Sequence, residues 1–115
     1  MLFYCLFLTF ITLVLAVQAA DPSINTPASL VECQPALLTW TASNLPVWIS
    51  IIPGGMPGAP PLKDMGKLNG TSTTWIVDIS KGTSITVQIR DSVGALAFSA
   101  PVTIQSSSNS SCIHK

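Results

Sequence analysis

The sequence predicts an all-β protein, an antiparallel β-sandwich of about seven short strands. Apolar residues recur at every second position through most of the chain after residue 22, as they do in half-buried strands. Turn-forming sequences separate these stretches at short intervals: ASNLP, NGTS, SKGT and DSVG. No window shows the spacing of an amphipathic helix, so we assign the whole domain to strands and turns.

The first half of the predicted sandwich contains three strands and a loop. SINT begins a first strand, which is interrupted at Pro27 and continues as SLVEC. Alternation in the next two segments, ALLTWT and VWISII, assigns six residues to the core: Ala36, Leu38, Trp40, Val47, Ile49 and Ile51. The Pro- and Gly-rich segment PGGMPGAPP that follows predicts a connecting loop.

The second half begins with PLKDMGKL, whose weak alternation predicts an edge strand. Three further segments, TTWIVDI, SITVQIRD and ALAFSAPVTI, have apolar faces formed by Trp75, Val77, Ile79, Ile85, Val87, Ile89, Leu96, Phe98, Ala100, Val102 and Ile104. Pro101 inside the last segment predicts an edge position or a bulge. Short alternating strands of this number predict a sandwich of immunoglobulin-like type.

Residues 1–20, MLFYCLFLTFITLVLAVQAA, form an almost unbroken apolar run that ends in small residues. Val17-Gln18-Ala19 fits a signal-peptidase site, so we expect a signal peptide that is removed. The alternative is a retained anchor, but the run stops near Val17, short of the roughly 20 residues that span a bilayer. We therefore predict a sandwich domain at 21–105 and a polar, Ser-rich tail at 106–115, with no membrane segment after cleavage.

Cleavage removes Cys5 and leaves Cys33 and Cys112. In an oxidising compartment two cysteines most simply form one disulfide, here closing a loop of about 80 residues that is worth about 4.5 kcal/mol in chain entropy. Two free thiols, or pairing with another chain, are the alternatives.

Two N-glycosylation sequons fit the same compartment: Asn69-Gly70-Thr71 and Asn109-Ser110-Ser111. Both lie in segments predicted to be at the surface. We therefore expect a secreted glycoprotein modified at Asn69 and Asn109.

Several function classes are disfavoured. Five basic and five acidic residues give no net charge, so nucleic acid is not an expected partner. The one histidine, His114, lies in the predicted tail, which cannot hold a catalytic triad. Glu32, Asp64, Asp78 and Asp91 match no motif, although spacing alone leaves a glycosidase pair open. We expect no enzyme, no metal and no cofactor.

Trp48 is out of phase with the apolar face of its strand, which Val47 forms. In an immunoglobulin-like topology this strand pairs with the sixth, so Trp48 shares an outer face with Thr86, Gln88 and Arg90. An aromatic ring beside amide and guanidinium groups suits a sugar, through stacking and edge hydrogen bonds. The alternatives are that a loop covers Trp48, or that the strand has the opposite phase and Trp48 fills the core.

The segments SINTPASLVECQPALLTWTASN, GTSTTWIVDI, GTSITVQIRDS and FSAPVTI together resemble a fungal family. They are similar to the immunoglobulin-like N-terminal domain of yeast cell-wall glucan-assembly proteins and of Ser/Thr-rich GPI-anchored surface proteins, and to small secreted fungal proteins that share this domain. The resemblance implies a link to β-glucan and carries over no catalytic residues. The chain ends in SSSNSSCIHK rather than in a Ser/Thr-rich stalk and apolar tail, so we expect the module without a lipid anchor.

These features predict a small, secreted, non-enzymatic module that is extracellular or associated with the cell wall. We expect it to be a monomer that binds β-glucan or another wall polysaccharide through Trp48, Gln88 and Arg90. The alternative is a secreted protein-interaction module, of effector or inhibitor type, that binds an extracellular protein.

Overall fold

A computed structural model describes residues 21–113, so the predicted signal peptide and His114 lie outside the described residues. This part of the chain has no helix and contains eight strands: β1 (Ser23–Ile24), β2 (Pro35–Thr41), β3 (Val47–Pro53), β4 (Lys63–Leu68), β5 (Ser72–Ile76), β6 (Ser84–Arg90), β7 (Leu96–Phe98) and β8 (Val102–Thr103). No helix that could cross a bilayer is found in this range.

The strands form two antiparallel sheets, which confirms the predicted all-β sandwich. The three-stranded sheet has the order β1-β2-β5. The larger sheet has the order β4-β3-β6-β7, and β8 also pairs with β6. As in an immunoglobulin-like domain, the third strand pairs with the sixth.

The core lies between the two sheets, and most of the predicted inward faces are confirmed. Val47, Ile49 and Ile51 are buried on β3, and the alternating positions of β2 and β6 are buried in the same way. Each such side chain contributes about 1.5–3 kcal/mol through burial. Trp40 and Trp75 also lie in this core, and their ring N–H groups donate to Gly70 O and to the carboxylate of Asp78.

The predicted face of the last strand is wrong at its beginning. Leu96, Phe98 and Ala100 do not point inward: all three are exposed, whereas Ala97 packs against the core and Ser99 is buried. The predicted strand is also interrupted before Pro101, which is why it forms two short strands, β7 and β8. Because ALAF is apolar at every position, its alternation could not decide which face is inside.

The strand expected at SLVEC is also largely absent. Of this segment only Val31 takes part in a sheet-like pairing, an isolated bridge with Gln105. This bridge is parallel, so the segments at Val31 and Gln105 run in the same direction, unlike the strand pairs of the two sheets. Leu30 is nevertheless fully buried and contributes to the core.

The loop PGGMPGAPP connects β3 to the edge strand β4, as predicted. Gly54 N–H donates to Ser84 O at 2.9 Å, and Gly55 N–H donates to the Thr86 hydroxyl at 3.0 Å. These bonds fold the loop against the outside of the larger sheet. Thr86 and Ile52, which would otherwise be on that outer face, are buried as a result.

Cys33 and Cys112 form the predicted disulfide, across a sequence separation of 79 residues. The tail that carries Cys112 folds back along the domain, where Ser107 Oγ donates to Glu32 O at 3.0 Å. The disulfide lies at the end of the sandwich where β2 begins and β5 finishes, since Cys33 N–H donates to Val77 O.

Candidate functional site

The three predicted binding residues come together on the outer face of the larger sheet. Trp48 on β3 is directly opposite Arg90 on β6, and Ser50 is opposite Gln88. Directly opposed residues of a strand pair point to the same face, so Trp48, Gln88 and Arg90 share one surface. The strand phase assumed from the sequence is therefore the observed one.

Arg90 lies over the Trp48 ring, with its guanidinium carbon 4.4 Å from the ring centroid. This is a cation–π contact, worth about 0.5–1 kcal/mol at an exposed site. Arg90 is exposed and Trp48 is half-buried. The cation therefore covers one side of the ring.

Four further residues extend this surface across the sheet: Ser50, described above, and Lys67, Leu96 and Phe98. Lys67 on β4 lies opposite Trp48, on the side away from Arg90. On the other side, β7 places Leu96 next to Arg90 and Phe98 next to Gln88. We call the surface the Trp48 face; its residues are Trp48, Ser50, Lys67, Gln88, Arg90, Leu96 and Phe98.

Phe98 was missed as a site residue because alternation assigned it to the core. Only the pairing of Phe98 with Gln88 places its ring outside. The available signal in the sequence was Pro101, which marks a break where the phase of the strand can change. Phe98 is 38% exposed, so its ring is accessible from solvent.

The covering loop limits the Trp48 face at one end. Ile52 and Thr86 continue the same rows of residues but are buried beneath the loop at Gly55. The open surface therefore extends from Ser50 and Gln88 towards the end of the sandwich that is opposite the disulfide.

Both sequon asparagines are exposed. Asn69 lies between β4 and β5. The carboxamide oxygen of Asn109 accepts hydrogen bonds from the backbone N–H and the hydroxyl of Ser111, at 3.0 and 2.7 Å. Glycosylation at either position stays a prediction.

A separate groove of about 420 Å³ runs between the edge strands β4 and β5. Lys63 and Asp78 form an ion pair of 2.8 Å beside it. Partial burial alone raises the pKa of Asp78, but hydrogen bonds from Lys63 and Trp75, together with the Lys63 charge, hold that pKa below its ordinary value. Met65 and Cys112 line the remainder of the groove.

The carboxylates that sequence spacing left open for catalysis make structural bonds. Glu32 is buried and accepts the Lys81 backbone N–H at 2.7 Å. Asp91 is buried at the end of β6, where it accepts the N–H groups of Val93 and Ala95 at 3.1 and 2.8 Å. No group of three or more potential metal ligands occurs within residues 21–113.

The fold and this surface define a small β-sandwich module with an aromatic and polar sheet face. Comparison of the chain with protein-family models, with curated proteins and with solved structures found no match. The resemblance to the fungal wall domain therefore rests on the quoted sequence segments alone.

Proposed function

We propose that this protein is a secreted, non-enzymatic module that binds β-glucan or another cell-wall polysaccharide on the Trp48 face. The proposal is carried by one observation: Trp48, Gln88 and Arg90 lie side by side on an exposed sheet face, with a second aromatic ring, Phe98, next to Gln88. Sheet faces of this kind suit extended, flat ligands.

The chemistry of the face matches that of a sugar chain. Aromatic rings pack against the apolar faces of sugar rings, while hydroxyl groups at the ring edges need both donors and acceptors. Gln88 supplies an amide that does both, and Arg90 supplies up to five donors. Trp48 and Phe98 are two strands and two residues apart, or roughly 12 Å, which lets one ligand chain contact both rings.

Arg90 competes with the ligand for the ring of Trp48. A sugar that stacks on that side of the ring must first displace the guanidinium group. The displacement costs about 0.5–1 kcal/mol, a small part of the binding free energy of a multivalent polymer. Once displaced, Arg90 is placed to donate to the hydroxyl groups of the ligand.

An extracellular location is supported by the same features that predicted it. The Cys33–Cys112 disulfide is typical of an oxidising compartment. The apolar run at residues 1–20 and the exposed sequons agree with secretion. The non-enzymatic assignment is supported by the structural bonds of Glu32 and Asp91.

The test is a pull-down on insoluble β-glucan with purified chain. Trp48→Ala should weaken binding by about tenfold, a loss of about 1.4 kcal/mol, because the aromatic surface that packs against the sugar ring is removed. Gln88→Ala and Phe98→Ala should weaken it less. Leu37→Ala is the matched control, since Leu37 is an exposed apolar residue on the other sheet.

Each variant must first show the thermal unfolding transition of the parent. If the parent protein does not bind the glucan, or if Trp48→Ala binds as the parent does while folded, the proposed function is wrong.

A protein-interaction module is the second candidate, and one feature favours it. The β2–β3 and β6–β7 loops meet through a hydrogen bond from Ser92 N–H to Asn44 O at 3.0 Å. Leu45 and Val93, which are exposed by 42% and 71%, lie at this end of the sandwich. This function predicts a protein ligand whose binding is lost in Leu45→Ser with Val93→Ser and retained in Trp48→Ala.

A further inference from the structure

β5 is the outer strand of the three-stranded sheet, and no other strand within residues 21–113 pairs with its outer edge. At its two ends, Val77 N–H donates to Gln34 O, and Thr71 O accepts the Trp40 N–H, so residues 71 and 77 point towards β2. Backbone groups in an antiparallel strand alternate in direction. The N–H and C=O groups of Ser72, Thr74 and Ile76 therefore point away from β2, towards the open edge.

β5 also lacks the devices that normally protect an edge. Its sequence, STTWI, contains no charge, no proline and no glycine, and its Thr, Trp and Ile residues favour strands. An unprotected edge of this composition is a template for another strand.

The other sheet edges within residues 21–113 are protected. β4 carries Lys63, Asp64 and Lys67, and its pairing with β3 contains a bulge. β7 is three residues long and precedes Pro101, and β1 is two residues long and precedes Pro27. Charge, bulges, proline and short length all hinder pairing between sheets. The contrast singles out β5.

We propose that β5 pairs with β5 of a second copy of this chain, antiparallel and centred on Thr74, to give a two-fold symmetric dimer. Thr74 then faces Thr74 of the second copy, and Ser72 faces Ile76. All three residues have both backbone groups available, which allows about six new hydrogen bonds. A second copy is favoured as the occupant because Ser72, Thr74 and Ile76, the residues that would face each other, are uncharged, so that their pairing brings no like charges directly opposite each other.

The dimer differs from the monomer expected from the sequence, and it has a consequence for binding. The two-fold axis of an antiparallel strand pair is perpendicular to the sheet, so the two three-stranded sheets become one six-stranded sheet. Both larger sheets then lie on the same side of it. Their Trp48 faces point in one direction, which allows bivalent binding to a polymer; this consequence alone rests on the proposed function.

The proposal is tested by the oligomeric state of the purified full chain in sedimentation velocity, over concentrations from micromolar to millimolar. The parent should change from monomer to dimer across this range. Thr74→Pro should raise the dissociation constant by about tenfold or more, because it removes the central N–H donor from each copy. That N–H points away from β2, so proline is tolerated in the folded monomer.

Two further variants make the result specific. Thr74→Lys keeps the N–H but places two like charges opposite each other, and it should also weaken the dimer. Leu37→Lys changes a residue that is directly opposite Thr74 on β2, on the same outer face but not at the edge, and it should leave the dimer unchanged.

Three results would overturn the proposal. The first is a parent chain that stays monomeric at millimolar concentration. The second is a dimer that persists in both Thr74→Pro and Thr74→Lys. The third is a dimer that is lost in Leu37→Lys and kept in Thr74→Lys, since the sheet face would then be the interface. Glucan binding by single domains is measured separately. A negative result for the dimer would therefore leave the proposed binding function of the Trp48 face unaffected.

Discussion

At the residue scale, buried and half-buried polar side chains stabilise the loops of this sandwich through hydrogen bonds to backbone groups. Glu32 holds the turn at Lys81, and Asp91 holds the β6–β7 turn. A buried acceptor that binds two backbone N–H groups satisfies donors that would otherwise lose their hydrogen bonds to water. Glu32 therefore has a structural use, and Asp91 serves the same use through one of its two carboxylate oxygens.

Asp78 should make stability depend on pH in the acid range. Its folded pKa lies below the ordinary value of 3.8, despite partial burial, because of Lys63 and Trp75. The carboxylate therefore stabilises the fold above the unfolded pKa of about 3.9, and this contribution is lost as the pH falls through the lower folded value. Asp78→Asn should be less stable than the parent at pH 7, by an amount that shrinks at acid pH.

Urea unfolding between neutral and acid pH measures this difference. Lys63→Met is the matched variant, because it removes the charge and keeps most of the side-chain volume. The Lys63→Met and Asp78→Asn effects should be less than additive in the double variant, as expected for a contacting pair. A constant difference between parent and Asp78→Asn at every pH would show that the ion pair is not the source.

At the scale of elements, the most constrained connection is the one between β3 and β4. Its first glycine, Gly54, donates to the backbone carbonyl of Ser84 and lies so close to Ser84 that an added Cβ would overlap the Ser84 side chain. This contact starts the loop that covers Ile52 and Thr86. The loop therefore determines how much of the outer sheet face is open to a ligand.

Gly54→Ala should destabilise the protein by about 1–3 kcal/mol, because steric overlap forces strand ends apart. A Cβ at Gly54 would overlap Ser84 Oγ, and it would lie 2.9 Å from Ser84 Cβ and 3.1 Å from its carbonyl carbon. Gly70→Ala is the control, since a Cβ there meets nothing within 4 Å. Chemical unfolding of both variants is the measurement.

Ser84→Gly should restore part of the stability of Gly54→Ala, because it removes the two side-chain atoms that clash. If Gly54→Ala and Gly70→Ala unfold at the same denaturant concentration, the close contact between Gly54 and Ser84 does not make stability depend on a glycine at this position.

At the scale of the whole molecule, one disulfide connects the segment before β2 to the C-terminal tail. The 79-residue separation makes its entropic contribution large for a domain of this size. It also places Cys112 beside Val77, at the finish of β5. The tail is therefore part of the folded domain up to this cysteine.

Replacing both cysteines, Cys33→Ser with Cys112→Ser, should lower the free energy of unfolding by about 4.5 kcal/mol in the chain-entropy model. The loss should appear in thermal and urea unfolding under oxidising conditions. Adding a reductant to the parent should give the same loss and should leave the double variant unchanged. A parent whose unfolding is insensitive to reduction would contradict this contribution.

Much of the fold could be predicted because a strand with one buried face shows alternating apolar and polar residues in the sequence. Residues such as Ile85, Val87 and Ile89 alternate with polar neighbours, so their faces were assigned correctly. The pattern failed at Leu96 and Phe98, where every residue is apolar and the inward face is set by pairing with β6. The candidate site was predicted only in part for the same reason. Trp48 is out of phase with the apolar face of its strand, so it was placed outside, whereas nothing in the alternation around Phe98 distinguishes it from a core residue.

The sequence by itself determined the class of fold and most of the core, because both depend on the spacing of residues along the chain. It also predicted the disulfide and the outward phase of Trp48, but it left alternatives to each that only the structure decided. Tertiary structure alone decided that Lys67, Leu96 and Phe98 also lie on the Trp48 face, that Arg90 covers the Trp48 ring, and that the β3–β4 loop closes one end. It also decided that, in the described part of the chain, one edge of β5 has no partner strand. These features depend on strand order and register, which arise from pairing between segments that are distant in the sequence.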